Sequence, residues 1–244
     1  MKTFVITLPD EWESESKEAA QRCIASIEKT GSPLDATIFD ATTPPTIREG
    51  MLEAFGKQVE WTWPIDENHD GYDLKTGLYK RKYAARDHLR VISCALSHAR
   101  LWKKCIDIGE EIVILEHDAL FVRKFDPAIL DGWEWGAIGL NDPRGATRKA
   151  GKFHEMLQAS ATDAPKLHRI PRIDESHEVF LPMGLAGNSA YVIKPEACKE
   201  LLDKVHDIGL WPNDALMCSH LFKWLRVITP YYTRVQGTQS TTTR

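Results

Sequence analysis

The sequence predicts an α/β protein built on a Rossmann-type, mostly parallel sheet flanked by helices. Two observations carry this. The first third of the chain alternates short apolar runs with a helical pattern, in the order β-α-β. Further on, a long amphipathic helix leads through a short turn into Ile112–Leu115, four apolar residues in a row. A short continuous apolar run bounded by turn signals suits a strand buried on both faces. It ends in Glu116, His117 and Asp118, and open α/β sheets bind ligands at the carboxyl ends of their strands.

The elements follow in order. Phe4–Leu8, closed by Pro9, reads as the first strand. A helix over Ser16–Thr30 has Ala20, Cys23, Ile24 and Ile27 at i, i+3, i+4 and i+7, with Gly31 as its C-terminal stop. Ala36–Phe39 is the second strand. Residues 40–79 are irregular apart from a short helix at Ile47–Phe55. Within them ENHDGYD lacks the ligand spacing and closing glutamate of a calcium loop. The central helix, Val91–Asp107, lines Ile92, Ala95, Leu96, Ala99, Trp102 and Ile106 along one stripe, with His98 at its edge. Gly136–Leu140 is a further strand that delivers Asn141 and Asp142. Residues 143–177 have weak periodicity and read as a functional loop or lid. Ser189–Ile193 is a strand, and Pro195 opens a helix with Cys198, Leu201, Leu202 and Val205 on its apolar face. Asn213 or Asp214 would cap a helix running through Trp224. Arg226–Thr229 is the last strand before a polar tail. With no repeat and no linker, residues 1–244 read as a single domain.

Composition narrows the function. The net charge of -4 argues against general nucleic-acid binding. The 43% apolar residues support a sizeable core, and no stretch approaches the 18 apolar residues of a membrane span. Peripheral membrane contact stays open. Cys23, Cys94, Cys105, Cys198 and Cys218 show neither disulfide nor zinc-motif spacing. Together with an N-terminus lacking a signal-type apolar region, they lead to the expectation of a cytoplasmic protein. Between Lys80 and Lys104, eight Lys/Arg face one acid, Asp87. This patch suits phosphate, although a solvated helix face explains it equally well.

The block SCALSHARLWKKC followed by IVILEHDALF resembles the hallmark of glycosyltransferase family 25, a G-C-x-L-S-H-x-x-x-W helix and then a strand ending in L-E-D-D. FVITLP, FDATTPP, AGNSAYVIKPEACKELL, WPNDALM and YYTRVQGTQS resemble further family elements in the right order. The family includes lipopolysaccharide and lipooligosaccharide galactosyltransferases and procollagen galactosyltransferase domains. The resemblance implies a GT-A-like fold and a metal-dependent, inverting transfer of a hexose, galactose or glucose, from a UDP-sugar. The acceptor would be a glycan, a lipid-linked oligosaccharide or another hydroxyl. Two departures stand out: Ser93 replaces the first glycine, and His117 replaces the middle acid, leaving an E-x-D version of the D-x-D metal motif.

That chemistry needs a cation to neutralise the leaving diphosphate, and Mn²⁺ or Mg²⁺ prefers oxygen ligands. Asp118 is the candidate direct ligand. Glu116 either assists it or binds the nucleotide ribose, and His117 is either structural or a nitrogen ligand that favours Mn²⁺. His98 is a candidate at the donor site, against the commoner role of a satisfied structural histidine. Arg81 and Arg86 are candidates to pair with the diphosphate. Asp214 is the first choice for the base that deprotonates the acceptor, against plain N-capping, and Asp142 is the second. Trp61, Trp63, Trp133, Trp135 and Trp211 are either sugar platforms or core. Two other classes stay open: a catalytically degenerate relative that binds glycan or protein, motivated by His117, and a metal-dependent phosphohydrolase built on Glu116, His117 and Asp118.

Overall fold

The computed structural model describes residues 1–9, 12, 14–83, 85, 87–144, 150–171, 181–185 and 188–237. The chain begins with strand β1 (Lys2–Thr7), helix α1 (Ser14–Thr30), strand β2 (Asp35–Asp40) and helix α2 (Ile47–Phe55). A two-residue ribbon, β3 (Gly71–Tyr72) with β4 (Tyr79–Lys80), precedes α3 (His88–Ile108). There follow β5 (Ile112–Glu116), β6 (Ala119–Phe121), β7 (Ala137–Gly139), α4 (Ala150–Gln158) and β8 (Lys166–Arg169). The last elements are β9 (Ala190–Ile193), α5 (Pro195–Ile208), α6 (Asn213–Leu216), β10 (Arg226–Thr229) and β11 (Thr233–Val235).

Seven strands form the central sheet in the order β2-β1-β5-β9-β7-β10-β8. β2, β1, β5, β7 and β10 run one way, and β9 and β8 run the other. The mostly parallel α/β class therefore holds, with β9 inserted antiparallel between β5 and β7. Helices cover both faces, and the period of two in the strands sorts the core accordingly. Ile112 and Ile114 pack with Leu96, Trp102 and Leu201 on the side of α3 and α5. Val113 and Leu115 pack with Cys23, Ile27 and Phe125 on the side of α1. The four apolar β5 side chains are fully buried, which contributes about 1.5–3 kcal/mol each.

Helix α3 is set by its ends and its stripe. Asp87 caps it by accepting from the Leu89 amide at 2.9 Å, and Gly109, at φ 74°, ends it in the left-handed conformation. Ser97 Oγ donates back to the Ser93 carbonyl and accepts from the Thr42 amide at 2.9 Å, tying the β2–α2 connection to the helix.

Two expectations need correction. Within residues 143–177 the chain builds α4 and β8 rather than an irregular loop. α4 buries Phe153 and Leu157, one turn apart, and β8 pairs antiparallel with β10 as an edge strand. Residues 145–149 and 172–180 of that segment lie outside the described residues. The helix expected from Asn213 through Trp224 stops at Leu216, and Pro212 rather than Asn213 or Asp214 precedes it. Both side chains also bond to other parts of the chain: Asn213 Oδ1 accepts from the Cys94 thiol and Asp214 Oδ2 from the Tyr83 hydroxyl.

Candidate active site

Strand β5 pairs with parallel β1 and antiparallel β9, and Glu116 is its last residue. The Glu116 amide donates to the Ser189 carbonyl at 2.8 Å just before β9 begins. Glu116 shares the parity of Ile112 and Ile114, so its carboxylate emerges on the α3 side. There His98, fully buried, places Nε2 3.3 Å from Glu116 Oε1. The other ring nitrogen, Nδ1, lies 2.8 Å from Tyr191 Oη, which also accepts from Trp102 Nε1 at 2.9 Å. A neutral imidazole with its proton on Nε2 satisfies the whole chain: Trp102 donates to Tyr191, Tyr191 to Nδ1, and Nε2–H to the carboxylate. His98 therefore fixes Glu116 and is itself fixed by β9.

After Glu116 the chain leaves the sheet in a tight turn through His117 and Asp118. Gln236, one residue beyond β11, holds that turn. Its backbone amide donates to the Asp118 carbonyl at 2.9 Å, and its side-chain amide donates to the carbonyls of His117 (3.2 Å) and Ala19 (2.9 Å). Arg22 Nε in turn donates to Gln236 Oε1 at 2.7 Å.

The carboxylates here disfavour their own charge. Burial, followed by the nearby Glu116, pushes the Asp118 carboxyl up to about 7. Among the described residues nothing hydrogen-bonds to Asp118 Oδ1, which is buried; Asn188 Oδ1 and Ser189 Oγ, beside the strand end, are buried without partners in the same sense. Burial also raises Asp214, with a smaller contribution from Glu116, although the Tyr83 hydroxyl at 3.1 Å pulls the other way. Burial and then the carboxylates of Glu116, Asp214 and Asp118 push the Cys94 thiol well above its ordinary range. A buried carboxylate with an unpartnered oxygen and a raised proton affinity, as at Asp118, is what a cation would relieve. The carboxylate oxygens of Glu116 and Asp118 would suit a hard divalent ion of the Mn²⁺ or Mg²⁺ type.

The sequence candidates divide as follows. Glu116, His98, Asp118 and Asp214 come together at the end of β5. His117 lies in the turn between Glu116 and Asp118, with its carbonyl held by Gln236. Asp142 sits past the end of β7, with its amide donating to the Thr233 carbonyl. Burial alone would raise its carboxyl, but hydrogen bonds from the Arg144 guanidinium and backbone outweigh it and hold the group below the usual range. Arg81 is exposed, and its carbonyl accepts from Trp63 Nε1. Arg86 lies outside the described residues. Trp63 and Trp211 are core, packed edge to face at 5.1 Å, whereas Trp135 is 40% exposed. Cys94, Tyr83, Tyr191 and Gln236 are the contributors that sequence reasoning missed. Cys94, Tyr191 and Gln236 lie in the stretches SCALSHARLWKKC, AGNSAYVIKPEACKELL and YYTRVQGTQS, whereas Tyr83 lies in none of those quoted.

One backbone contact is unusually close. A Cβ on Gly184 would lie 1.9 Å from the Asp214 carbonyl oxygen, so only glycine lets the segment before β9 pass beside α6.

Comparison with known proteins adds to this geometry. No curated protein matches the chain by sequence. Among solved structures, mouse xyloside xylosyltransferase 1 in its apo form superposes over 89% of this chain and 81% of its own, at 6% identity and a TM-score of 0.36. An active-site mutant of LgtC superposes over 93% and 72%, at 12% identity and 0.39. The galactosyltransferase LgtC in complex with donor and acceptor sugar analogs gives 93% and 73%, at 10% identity and 0.35. These superpositions are loose. The family match is extensive: the model for glycosyltransferase family 25 (LPS biosynthesis protein) matches residues 1–217, the part that carries β5, its acidic turn and Asp214. The chain belongs to glycosyltransferase family 25 and is a glycosyltransferase.

Proposed function

We propose that this glycosyltransferase moves a hexose, galactose or glucose, from a UDP-sugar to a hydroxyl of a glycan or lipid-linked oligosaccharide, with inversion at the anomeric carbon. A divalent cation, Mn²⁺ or Mg²⁺, would be held by Asp118 and Glu116. When bound it neutralises charge on the departing diphosphate. The observation that carries the reading is the buried, unpartnered Asp118 Oδ1 beside a second carboxylate, in a group pushed up to about 7. Such a group is costly to the fold and is retained where it binds something.

The residues of the chain have distinct parts. His98 orients Glu116 through Nε2. Gln236 fixes the turn that presents Asp118. Asp214, raised by burial and bonded to Tyr83, is the general base that takes the proton from the acceptor hydroxyl. Asp142, paired with Arg144, suits positioning better than proton abstraction. Arg81 and Arg86 serve the diphosphate, and residues 1–244 act as one domain.

The test is a thermal-shift series with UDP-galactose and UDP-glucose, each with and without Mn²⁺, alongside calorimetric titration of Mn²⁺ into the wild type and Asp118→Asn. A ligand that binds only the folded state raises the melting temperature by mass action. The expected result is a nucleotide-sugar shift that requires Mn²⁺, and Mn²⁺ affinity that falls at least tenfold in Asp118→Asn. Unchanged affinity in the variant sinks the metal assignment. A shift that ignores Mn²⁺ sinks metal dependence.

A further inference from the structure

Cys94 and His98 are four residues apart on α3, so their side chains leave the same face of the helix, one turn apart. That face meets the end of β5. The ligand-bearing atoms of Cys94, His98 and Glu116 all lie within 4.8 Å of one another. We propose that these three residues form a thiophilic metal site, matched to Zn²⁺ rather than to Mn²⁺ or Mg²⁺, which shares Glu116 with the catalytic cation site.

The donor set argues for the metal. A thiolate, an imidazole and a carboxylate make the soft-to-borderline ligation that Zn²⁺ accepts, whereas Mg²⁺ and Mn²⁺ favour oxygen. Three protein ligands leave a fourth position for water, the usual form of an open zinc site. The outer partners of such a site are also in place. A metal-bound histidine normally donates its second ring N–H to a fixed acceptor. Tyr191 Oη, 2.8 Å from Nδ1 and itself held by Trp102, becomes that acceptor once its hydroxyl proton turns away from the ring. Loading moves the imidazole proton from Nε2 to Nδ1 and leaves the Nε2 lone pair facing Glu116. Asn213 Oδ1, 3.7 Å from Cys94 Sγ, marks the direction in which the thiol now points.

The proton balance is simple. Zn²⁺ replaces the Cys94 thiol proton, a Zn–S bond forms as the S–H bond breaks, and one proton goes to solvent. The neighbouring carboxylates of Glu116, Asp214 and Asp118 become favourable partners once a dication is present. Access is available as well, because the Glu116 side chain is 33% exposed and Cys94 is only partly buried. One consequence rests on the proposed function: Zn²⁺ on the thiol side withdraws Glu116 from the donor's cation, so micromolar Zn²⁺ inhibits transfer.

The experiment uses Co²⁺, which reports thiolate ligation by an intense near-ultraviolet charge-transfer band, and it needs no nucleotide. The wild-type chain, reduced and metal-free, is titrated with Co²⁺ and then with Zn²⁺. A one-to-one band that Zn²⁺ bleaches and excess Mg²⁺ does not is expected. Cys94→Ser should abolish it and Cys218→Ser should retain it. Glu116→Gln should keep the band but weaken Co²⁺ binding about tenfold or more. No band in the wild type, or a band that survives Cys94→Ser, overturns the proposal. Should Cys94→Ser fail to fold, alkylation of the wild type decides. Zn²⁺ must protect the Cys94 peptide, read by mass spectrometry, and equal labelling with and without Zn²⁺ refutes the site. Loss of Mn²⁺ binding in Asp118→Asn with the Co²⁺ band intact would separate the two sites.

Discussion

Asp118→Asn should stabilise the metal-free protein at alkaline pH and leave it nearly unchanged at acidic pH. The Asp118 carboxyl rises from its ordinary 3.8 to about 7 through burial and then Glu116. A folded-state value above the unfolded one means the unfolded chain ionises first. Below the ordinary value both states carry the proton and nothing is lost. Stability then falls as pH climbs between the two values, and the full penalty is present above the folded one. A rise of about three pH units corresponds to at most ~4 kcal/mol. Coupling to Glu116 and partial solvent exposure reduce this to about 2 kcal/mol. For a chain of this size that is about 4–8 °C in melting temperature. The assay is differential scanning fluorimetry of the wild type and variant in chelator, from pH 4 to 8.5. Removing the carboxylate also leaves a buried amide, but that contribution is independent of pH, so the slope of the difference is diagnostic. A difference in melting temperature that stays flat across the range refutes the reasoning. Mn²⁺ should close the gap at pH 8, because a cation removes the same penalty.

Other perturbations follow from the same geometry. Tyr83→Phe removes the hydrogen bond that lowers Asp214, so the acidic limb of the kcat/KM profile should move to higher pH; an unmoved limb removes Asp214 as the base. Gln236→Ala frees the carbonyls of His117 and Ala19. It should cost about 1–2 kcal/mol in urea unfolding and weaken Mn²⁺ binding measured by calorimetry. Tyr191→Phe strands Trp102 Nε1 and His98 Nδ1 in the core. About 1–3 kcal/mol of stability should be lost, and the loss should be the same with or without Mn²⁺.

Much of this architecture is legible from periodicity alone. The α3 stripe and the Ile112–Leu115 run specify a buried strand behind a long helix, and they place Glu116 at its carboxyl end. Strand direction is another matter. Nothing in AYVI says that β9 runs against β5, because an apolar strand buried on both faces reads alike either way. α4 was hidden because only Phe153 and Leu157 mark its buried side amid polar residues. At the site, the residues that share a local motif were visible. Tyr83 and Gln236 were not, because they reach Asp214 and the acidic turn through the fold from remote parts of the chain. Asp214 read both as the first candidate for the base and as a helix cap, and its bond to Tyr83 was in neither reading.

The hold of Gln236 on the acidic turn sets an order of assembly. Every strand of the central sheet is complete by Thr229, so the sheet can close before β11 exists. The turn that carries Asp118 is pinned only when β11 pairs with β6 and Gln236 reaches His117 and Asp118. A chain interrupted between these points would own a sheet and a nearly complete set of acidic residues, yet lack the brace that aims them. Translation thus reaches Gln236 only after every strand of the sheet whose acidic turn it braces.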